Sequence, residues 1–288
     1  MPSLLHHLDQ ASLALKDALH PDIARRDAEL LLMHSLSKSR AWLITHGDEL
    51  LSDALSMSYT ELLERRRRGE PIQYIIGETE FYGLPFRVTP DVLIPRPETE
   101  HLVEIVLELA ANFAAPRIVD VGTGSGCIAV ALAHKLPQAS ITAIDLSNSA
   151  LAIARENAKR NGIVLRFLSG DLLTPVAGEQ FDLIVANPPY VSTADRATLS
   201  VEVRDYEPAL ALFAGDDGLD IFRRLIPAAF AALVPGGYLA LEIGCGQSPA
   251  IHELLAASGF QQIEFVSDLQ GIPRVACAQK PNNTGKIL

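Results

Sequence analysis

Apolar side chains in the first part of the chain recur at the spacing of an α-helix. They lie three or four positions apart, and so share one helix face, at Leu4, Leu8, Ala11 and Leu15. A break is expected where Pro21 follows His20, and Ser52 with Asp53 is expected to open a last helix toward Gly69. We therefore predict that residues 1–70 form a small all-helical domain, accessory to the rest of the chain.

The pattern changes between residues 71 and 97. Strand-forming and turn residues alternate from Tyr74 to Val88, which predicts a β-hairpin. Prolines then flank Arg96 on both sides, so its guanidinium is presented from a rigid, extended backbone. Pro97 suits the first turn of a helix with apolar positions at Leu102, Ile105, Val106 and Leu109. We interpret residues 71–97 as a β-hairpin linker that carries function.

From Arg117 onward, short apolar runs alternate with helical patterns, which is typical of a doubly wound α/β sheet. Strands are predicted at Ile118–Val121, Ile141–Asp145, Val164–Leu168, Phe181–Ala186, Tyr238–Ile243, Ile263–Val266 and Val275–Ala278. Helices are predicted at Ile128–Lys135, Asn148–Asn161, Leu219–Leu233 and Ser248–Ser258, with a frayed tail over residues 281–288. The sequence thus predicts an α/β domain over residues 98–288, built on a mostly parallel seven-stranded sheet.

Composition narrows the classes of function. The chain has 288 residues, 48% of them hydrophobic, and no apolar run reaches the roughly 18 residues that span a bilayer. A net charge of -11 argues against stable, salt-driven binding to nucleic acid. The cysteines and histidines lack metal-binding spacing, so neither a metal site nor a disulfide framework is expected. We expect a cytoplasmic monomer with no membrane attachment.

The first predicted strand of the sheet leads directly into a glycine-rich loop, Gly122-Thr123-Gly124-Ser125-Gly126. Alternating glycines let the backbone turn sharply and approach a ligand closely. Such a loop fits a nicotinamide dinucleotide, S-adenosylmethionine or a plain tight turn. Three details favour S-adenosylmethionine: Asp120 precedes the loop, the spacing is G-x-G-x-G, and no basic residue is present to meet a pyrophosphate.

Acidic residues follow the next two predicted strands. Asp145 ends the second strand, where a carboxylate can accept hydrogen bonds from both ribose hydroxyls. Asp171 follows the third strand and is placed to receive an adenine amino group. The alternative for Asp145 is a capping role for the helix that begins near Asn148.

After the fourth predicted strand comes Asn187-Pro188-Pro189-Tyr190. The prolines stop ladder pairing and stiffen the backbone, which holds Asn187 at the carboxyl end of the strand. The Asn187 side-chain carbonyl and the proline carbonyls can accept hydrogen bonds from an –NH₂ group, beside the flat face of Tyr190. This arrangement predicts a holder for a planar nitrogen nucleophile. The alternative is a turn in which Asn187 caps a helix.

The glycine loop with Asp120, Asp145 and Asp171 resembles the cofactor motifs of class I S-adenosylmethionine-dependent methyltransferases. The Asn-Pro-Pro-Tyr motif resembles the branch that methylates exocyclic or amide –NH₂ groups. The whole chain resembles the peptide chain release factor glutamine methyltransferases, the PrmC/HemK family. This narrower likeness rests on Gln73-Tyr74-Ile75-Ile76-Gly77, Phe81-Tyr82-Gly83, Ile94-Pro95-Arg96-Pro97-Glu98-Thr99-Glu100, Tyr206-Glu207-Pro208 and Gly218-Leu219.

The resemblance implies transfer of a methyl group from S-adenosylmethionine to the glutamine side chain of the Gly-Gly-Gln loop in class I peptide chain release factors. It implies cofactor binding by Asp120, Gly122, Thr123, Gly124, Ser125, Gly126, Asp145, Asp171, Leu172 and Asn187. Leu172 stands where the family often has an aromatic residue. Catalysis and substrate binding are assigned to Asn187, Pro188, Pro189 and Tyr190, with Arg96 as a further substrate contact. Residues 1–70 would recognise the release factor.

Three alternatives stay open at the level of sequence. A nucleic-acid adenine or guanine amino methyltransferase would use the same Asn-Pro-Pro-Tyr motif on a flipped base. Arg96 could form an ion pair with Glu98 or Glu100 rather than bind substrate. The basic run Arg65–Arg68 is either a solvated helix end or a docking patch for an acidic partner.

Overall fold

A computed structural model describes residues 2–16 and 21–282 of the chain. It divides into two compact units, Met1–Glu78 with Ser200–Tyr206, and Thr79–Leu199 with Glu207–Leu288. We call them the helical unit and the sheet unit. His20, at the expected break, and residues 283–288 of the expected tail lie outside the described residues. The boundary between the two units, after Glu78, falls within residues 71–97, the segment interpreted as a linker. The division of the chain into residues 1–70, 71–97 and 98–288 remains a prediction.

The helical unit confirms the helical pattern of the first part of the chain. Its helices are α1 (Leu4–Leu15), α2 (Pro21–Leu36), α3 (Arg40–Thr45), α4 (Asp53–Arg67) and α5 (Ile72–Ile76). The side chains of Ser3, Ser39 and Ser52 cap α1, α3 and α4 by accepting backbone N–H bonds. The apolar faces meet in one core that includes Leu15 and Leu31.

The predicted hairpin over Tyr74–Val88 is wrong at its start. Ile72, Tyr74 and Ile75 are buried residues of helix α5, which ends at Gly77 with a φ of 84°. The hairpin itself is β1 (Glu78–Phe81) and β2 (Leu84–Arg87). An apolar run that alternation assigned to a strand is helical because it packs into the core of the helical unit.

The sheet unit contains the predicted seven-stranded sheet. Its strands are β3 (Arg117–Val121), β4 (Ser140–Asp145), β5 (Arg166–Ser169), β6 (Phe181–Ala186), β7 (Leu233–Glu242), β8 (Gln261–Ser267) and β9 (Pro273–Gln279). They lie in the order β5-β4-β3-β6-β7-β9-β8. Only β9 runs antiparallel to its neighbours β7 and β8. The mostly parallel prediction is therefore confirmed.

Helices cover both faces of this sheet. The helices of the sheet unit are α6 (Thr99–Ala110), α7 (Cys127–Lys135), α8 (Asn148–Arg160), α10 (Ala209–Leu212), α11 (Asp220–Ala232) and α12 (Ser248–Ala257). Helix α9 (Val201–Tyr206) belongs to the helical unit. Alternate residues of the central strands enter two separate cores: Ile118 and Leu183 face one, Val119 and Ile184 the other. The alternation gives the doubly wound fold its two apolar layers.

Two segments differ from expectation. Strand β7 begins at Leu233 rather than Tyr238, because Leu233 pairs with Phe181 across an irregularity before Tyr238 aligns with Leu183. The stretch between the Asn-Pro-Pro-Tyr motif and Leu219, for which no helix or strand was predicted, contains α9 and α10. The hairpin supplies Phe81 and Phe86 to the same core as Leu102 of α6, so it is packed structure rather than a loose connection.

Within residues 2–16 and 21–282, no helix is long and apolar enough to cross a membrane.

Candidate functional site

The carboxyl ends of four parallel strands meet at one edge of the sheet. Val121 of β3 aligns with Ile144 of β4 and with Ala186 of β6, which in turn aligns with Leu241 of β7. The residue that follows each of these positions therefore lies at the same edge. These four residues are Gly122, Asp145, Asn187 and Glu242. Ligand sites of open α/β sheets form at this edge.

The glycine loop is held to the neighbouring strand by its backbone. The N–H groups of Gly122 and Thr123 both donate to the Ile144 carbonyl, at 2.8 and 2.9 Å. Gly122 has a φ of 74°, and a Cβ there would meet no protein atom within 4 Å. The loop thus leaves open space beside its backbone at Gly122, in a conformation that favours glycine.

Asp120 lies beneath the loop rather than in the open space. It is 0% exposed, and its Oδ2 accepts a 2.6 Å hydrogen bond from the Thr123 hydroxyl. Burial raises the pKa of the carboxyl to about 7, although the bond from Thr123 acts in the opposite direction. Asp120 consequently braces the loop from below.

Asp145 is fixed by two backbone donors. Its Oδ2 accepts from the Gly124 N–H and its Oδ1 from the Ser147 N–H, both at 2.8 Å. Burial raises the pKa of this carboxyl, and these N–H groups oppose the rise. The N-cap of α8 is Ser147, which accepts from the Ala150 N–H. The capping alternative for Asp145 is therefore wrong, and its carboxylate is oriented by the glycine loop.

Asp171 and Leu172 follow β5. The Asp171 carboxylate accepts a hydrogen bond from the Arg224 guanidinium of α11, a partner that the sequence did not indicate. Leu172 has a φ of 50° and packs against the apolar core under α11. The aliphatic residue at this position thus lies between the core and the cavity described below.

Asn187 does not cap a helix, contrary to the alternative kept from the sequence. Its Nδ2 donates to the Thr99 hydroxyl at 3.2 Å, and that hydroxyl donates to Glu242 Oε2 at 2.6 Å. The Tyr190 hydroxyl approaches Glu242 Oε1 at 3.4 Å. Burial raises the pKa of Tyr190, with the nearby Glu242 carboxylate the next cause.

The backbone after Asn187 is also fixed. The Tyr190 carbonyl accepts a 3.0 Å hydrogen bond from Gln247 Nε2, and Gly218 passes so close that a Cβ there would lie 2.2 Å from the same carbonyl oxygen. Only glycine allows this approach. The tyrosine of the motif is thereby fixed at both its hydroxyl and its backbone.

Arg96 has neither of the two partners considered from the sequence. Its Nη2 donates to Glu207 Oε1 at 2.5 Å, and the Glu207 side chain is 1% exposed against 31% for Arg96. The ion-pair alternative with Glu98 or Glu100 is corrected to an ion pair with Glu207. Glu100 instead accepts from the Tyr82 N–H in the hairpin turn.

A cavity of about 270 Å³ lies at this sheet edge within the sheet unit. Its lining joins the glycine loop to Asp145, Leu172, Asn187, Pro188 and Pro189. Its charged lining residues are Asp91, Arg96, Asp145 and Asp171. Three acids and one base suit a cationic sulfonium nucleoside, whose ribose hydroxyls need acceptors, better than a pyrophosphate. The residues present therefore fit S-adenosylmethionine.

Several residues of this region were missed from the sequence. Glu242 was assigned only to the apolar strand Tyr238–Ile243, Glu207 was noted only within the Tyr206-Glu207-Pro208 motif of the family resemblance, and Gln247 gave no signal. Asn157 of α8 joins Ser125 of the glycine loop to Arg87 of the hairpin through its side-chain amide. A buried polar residue in an apolar pattern was the one available signal, and it applied to Glu242.

The basic run Arg65–Arg68 forms ion pairs within the helical unit. Arg65 pairs with Glu70, and Arg67 pairs with Glu64. Arg66 is 3% exposed and binds both Asp27 and Glu202. The solvated-end interpretation is therefore wrong for Arg66, which is part of the core.

Comparison with known proteins identifies the family. The model of the PrmC N-terminal domain matches residues 6–77, and that of the methyltransferase small domain matches residues 99–203. The release factor glutamine methyltransferase of Koribacter versatilis is 45% identical over 98% of this chain and 97% of its own length. The chain belongs to the release factor glutamine methyltransferase family.

Two further comparisons agree. The protein of the same name from Geobacter sulfurreducens is 44% identical over 88% of each chain. The crystal structure of the hMettl16 catalytic domain with the MAT2A 3′UTR hairpin 6 matches with a TM-score of 0.58 at 16% identity. That match covers 81% of this chain and 84% of the other, and it concerns the fold. The protein is an enzyme that transfers methyl groups.

Proposed function

We propose that this enzyme transfers a methyl group from S-adenosylmethionine to the side-chain amide nitrogen of the glutamine in the Gly-Gly-Gln motif of class I peptide chain release factors. The observation that carries the proposal is the position of Asn187. Asn187 and Pro188 line one cavity together with the glycine loop and Asp145. A hydrogen-bond acceptor for an –NH₂ group thus lies in the same cavity as a site suited to a sulfonium nucleoside.

The cofactor site is assigned to one set of residues. When bound, S-adenosylmethionine supplies an electrophilic methyl group on a sulfonium sulfur and leaves as S-adenosylhomocysteine. Asp145 would accept the ribose hydroxyls, since its two oxygens are already oriented by Gly124 and Ser147. The glycine loop would approach the ligand with its backbone, and Asp120 would brace that loop. Asp171 and Leu172 would receive the adenine.

The catalytic role falls to the Asn-Pro-Pro-Tyr motif. An amide nitrogen is a weak nucleophile because its lone pair is delocalised into the carbonyl. Asn187 Oδ1 and the Pro188 carbonyl would each accept one N–H of the substrate amide and so orient the nitrogen. Positive charge develops on that nitrogen as the N–C bond forms and is lost when one N–H proton is released to solvent, so the two carbonyl dipoles bind the transition state more strongly than the ground state. Pro189 stiffens the backbone, and Tyr190 packs against the apolar core of the sheet unit.

Recognition of the release factor needs a second surface. A glutamine side chain is short and flexible, so a pocket for it alone supplies little affinity. We assign the additional contact to the helical unit, and we keep Arg96 as a candidate substrate contact because Arg96 lines the cavity.

The decisive experiment measures methyl transfer from tritiated cofactor to full-length release factor, duplex DNA and ribosomal RNA in parallel. We expect label only on the release factor, and none on a factor whose Gly-Gly-Gln glutamine is replaced by alanine. Label on either nucleic acid with none on the factor would replace the proposal with the amino methyltransferase alternative.

The residue-level test is Asn187→Ala. We expect cofactor affinity to be retained and turnover to fall about 10²-fold or more, because one acceptor for the transition state is lost. Turnover equal to that of the wild type would remove Asn187 from the mechanism.

The role of the helical unit is tested by a truncated protein that begins at Thr79, where the sheet unit starts. A cut near Pro95 would also remove Phe81 and Phe86 from the core of the sheet unit. We expect cofactor binding to persist and KM for the full-length factor to rise, with no change in KM for a Gly-Gly-Gln peptide. An unchanged kcat/KM on the full-length factor would exclude a recognition role.

A further inference from the structure

A buried carboxylate lies behind Asn187, and the proposed mechanism does not use it. Glu242 ends strand β7, is 3% exposed, and lies one residue beyond the alignment of Leu241 with Ala186. No ion pair to Glu242 occurs in the described part of the chain. Its partners are neutral groups instead: the hydroxyls of Thr99, at 2.6 Å, and Tyr190, at 3.4 Å, and the Asn187 side-chain amide. A buried carboxylate held by neutral donors needs an explanation, since burial disfavours its charge.

The bond from Thr99 to Glu242 has a definite direction. A threonine hydroxyl carries one proton, and an ionised carboxylate can only accept it. Once the Thr99 hydroxyl donates its proton to Glu242, the Thr99 oxygen can only accept hydrogen bonds from its other neighbours. The neighbour in question is the Asn187 amide, whose Nδ2 lies 3.2 Å from the Thr99 oxygen.

This direction decides which end of the Asn187 amide faces the cavity. If the amide were rotated by half a turn, Oδ1 would face the Thr99 oxygen and two acceptors would meet without a proton between them. With Nδ2 on Thr99, Oδ1 is left for a donor in the cavity. Thr99 and Asn187 both line that cavity.

We propose that Glu242, acting through the Thr99 hydroxyl and directly on Asn187 Nδ2, sets the orientation of the Asn187 amide so that its oxygen faces the substrate nitrogen. The inference rests on the proposed role of Asn187 and makes Glu242 and Thr99 positioning residues. It also assigns them a part in specificity. An outward carbonyl accepts from the –NH₂ of glutamine and repels the carboxylate of glutamate, whereas an outward –NH₂ group would do the reverse.

The charge of Glu242 is central to this arrangement. Burial raises the pKa of Glu242, opposed by hydrogen bonds from Thr99, Tyr190 and Asn187, and Glu98 before α6 raises it further. The Cys127 thiol of α7 also lies in its field, while Arg96 and Arg274 of β9 act on Tyr190. Below its raised pKa, Glu242 carries a proton that it can donate to Thr99, and the direction of the chain is lost. Turnover should therefore fall as pH decreases through that pKa.

The test is a double-mutant cycle on Thr99→Val and Asn187→Ala, read as single-turnover methylation of the release factor. Thr99→Val keeps the shape of the side chain and removes the hydroxyl. We expect it to lower turnover about tenfold in the wild-type background, because the amide loses the acceptor that Thr99 supplies and keeps only its contact with Glu242. In the Asn187→Ala background we expect less than about a twofold further loss, since no amide remains to be oriented.

Three controls separate positioning from a structural defect. Thr99→Ser should restore most of the loss, because it returns the hydroxyl. Thr142→Val makes the same change at a residue of β4 that is 4% exposed and outside the network, and it should leave turnover unchanged. Glu242→Gln, measured in the same two backgrounds, should reproduce the dependence on Asn187. It replaces Thr99→Val in the cycle if that variant does not fold.

A readout without turnover is the Asn187 side-chain amide signal in protein labelled with ¹⁵N-asparagine, assigned by its loss in Asn187→Ala. We expect this signal to shift in Thr99→Val and Glu242→Gln and, in the wild type, to titrate with the raised pKa of Glu242. Asp120 also titrates and could change turnover with pH. Because Glu242→Gln removes the Glu242 carboxyl but leaves Asp120 unchanged, any pH dependence of turnover that remains in this variant is assigned to Asp120.

The outcomes distinguish the positioning role of Thr99 and Glu242 from the proposed role of Asn187. Equal losses from Thr99→Val in both backgrounds, or no loss in either, would overturn the positioning role while leaving the proposed function intact. Wild-type turnover in Asn187→Ala would overturn the proposed role of Asn187, and the positioning inference with it.

Discussion

A buried carboxylate in the helical unit and one in the sheet unit are stabilised in different ways. Asp27 of α2 is 0% exposed and accepts a 2.7 Å hydrogen bond from the Arg66 guanidinium, which also binds Glu202. Glu242 is 3% exposed and accepts hydrogen bonds from hydroxyl groups. The first carboxylate is neutralised by a cation, and the second polarises a chain of neutral groups.

The two buried carboxylates have different roles, one structural and one at the candidate site. A guanidinium offsets the desolvation of Asp27 and joins α2, α4 and α9 within the helical unit, which is a structural use of charge. A cation beside Glu242 would compete for the oxygen that accepts from Thr99 and would weaken the direction of that bond. Neutral partners leave the carboxylate available to orient a polar side chain at the cavity.

The largest effect is expected from Arg66→Met. It leaves the buried Asp27 carboxylate with only the exposed Arg26 guanidinium, at 3.5 Å, so the free energy of unfolding of the helical unit should fall by about 3–5 kcal/mol. Urea denaturation measures it. Arg67→Met is the matched control, since Arg67 pairs with Glu64 on an exposed surface and should change stability by less than about 1 kcal/mol. Equal losses in the two variants would contradict the structural assignment of Arg66.

Asp145→Ala comes next. Two ribose hydroxyls would lose a charged acceptor, so cofactor affinity should weaken by about 1.5–3 kcal/mol. Isothermal titration calorimetry with S-adenosylhomocysteine measures this loss. Arg66→Met serves as the comparison, because its change lies in the helical unit and leaves the cavity lining intact. An unchanged affinity in Asp145→Ala would disprove the assigned contact.

The smallest expected effect on stability is that of Glu242→Gln. The neutral amide has nearly the same shape and removes a buried charge, so the free energy of unfolding should change by less than about 1 kcal/mol. Turnover should nevertheless fall about tenfold. A stability loss as large as that of Arg66→Met would mean that the two carboxylates have the same structural role, and the contrast between the units would fail.

The local patterns were sufficient for most of the fold. Strand β6 was predicted at its observed bounds, Phe181–Ala186, and the start of α4 was predicted from Ser52. The failure at Tyr74 came from an apolar run too short for periodicity to distinguish strand from helix. Contact with the helical core decided between them.

The sequence by itself determined the positions that depend on local geometry. Gly122 and Gly124 mark a loop with positive φ, and a strand followed by two prolines leaves Asn187 at a strand end. Tertiary structure alone decided which polar side chains form hydrogen bonds with one another. Thr99 and Glu242 are 143 residues apart, and Arg96 and Glu207 are 111 apart. Periodicity and backbone preference act over a few residues, whereas the pairing of polar side chains depends on which strand ends and helix starts the packed sheet brings together.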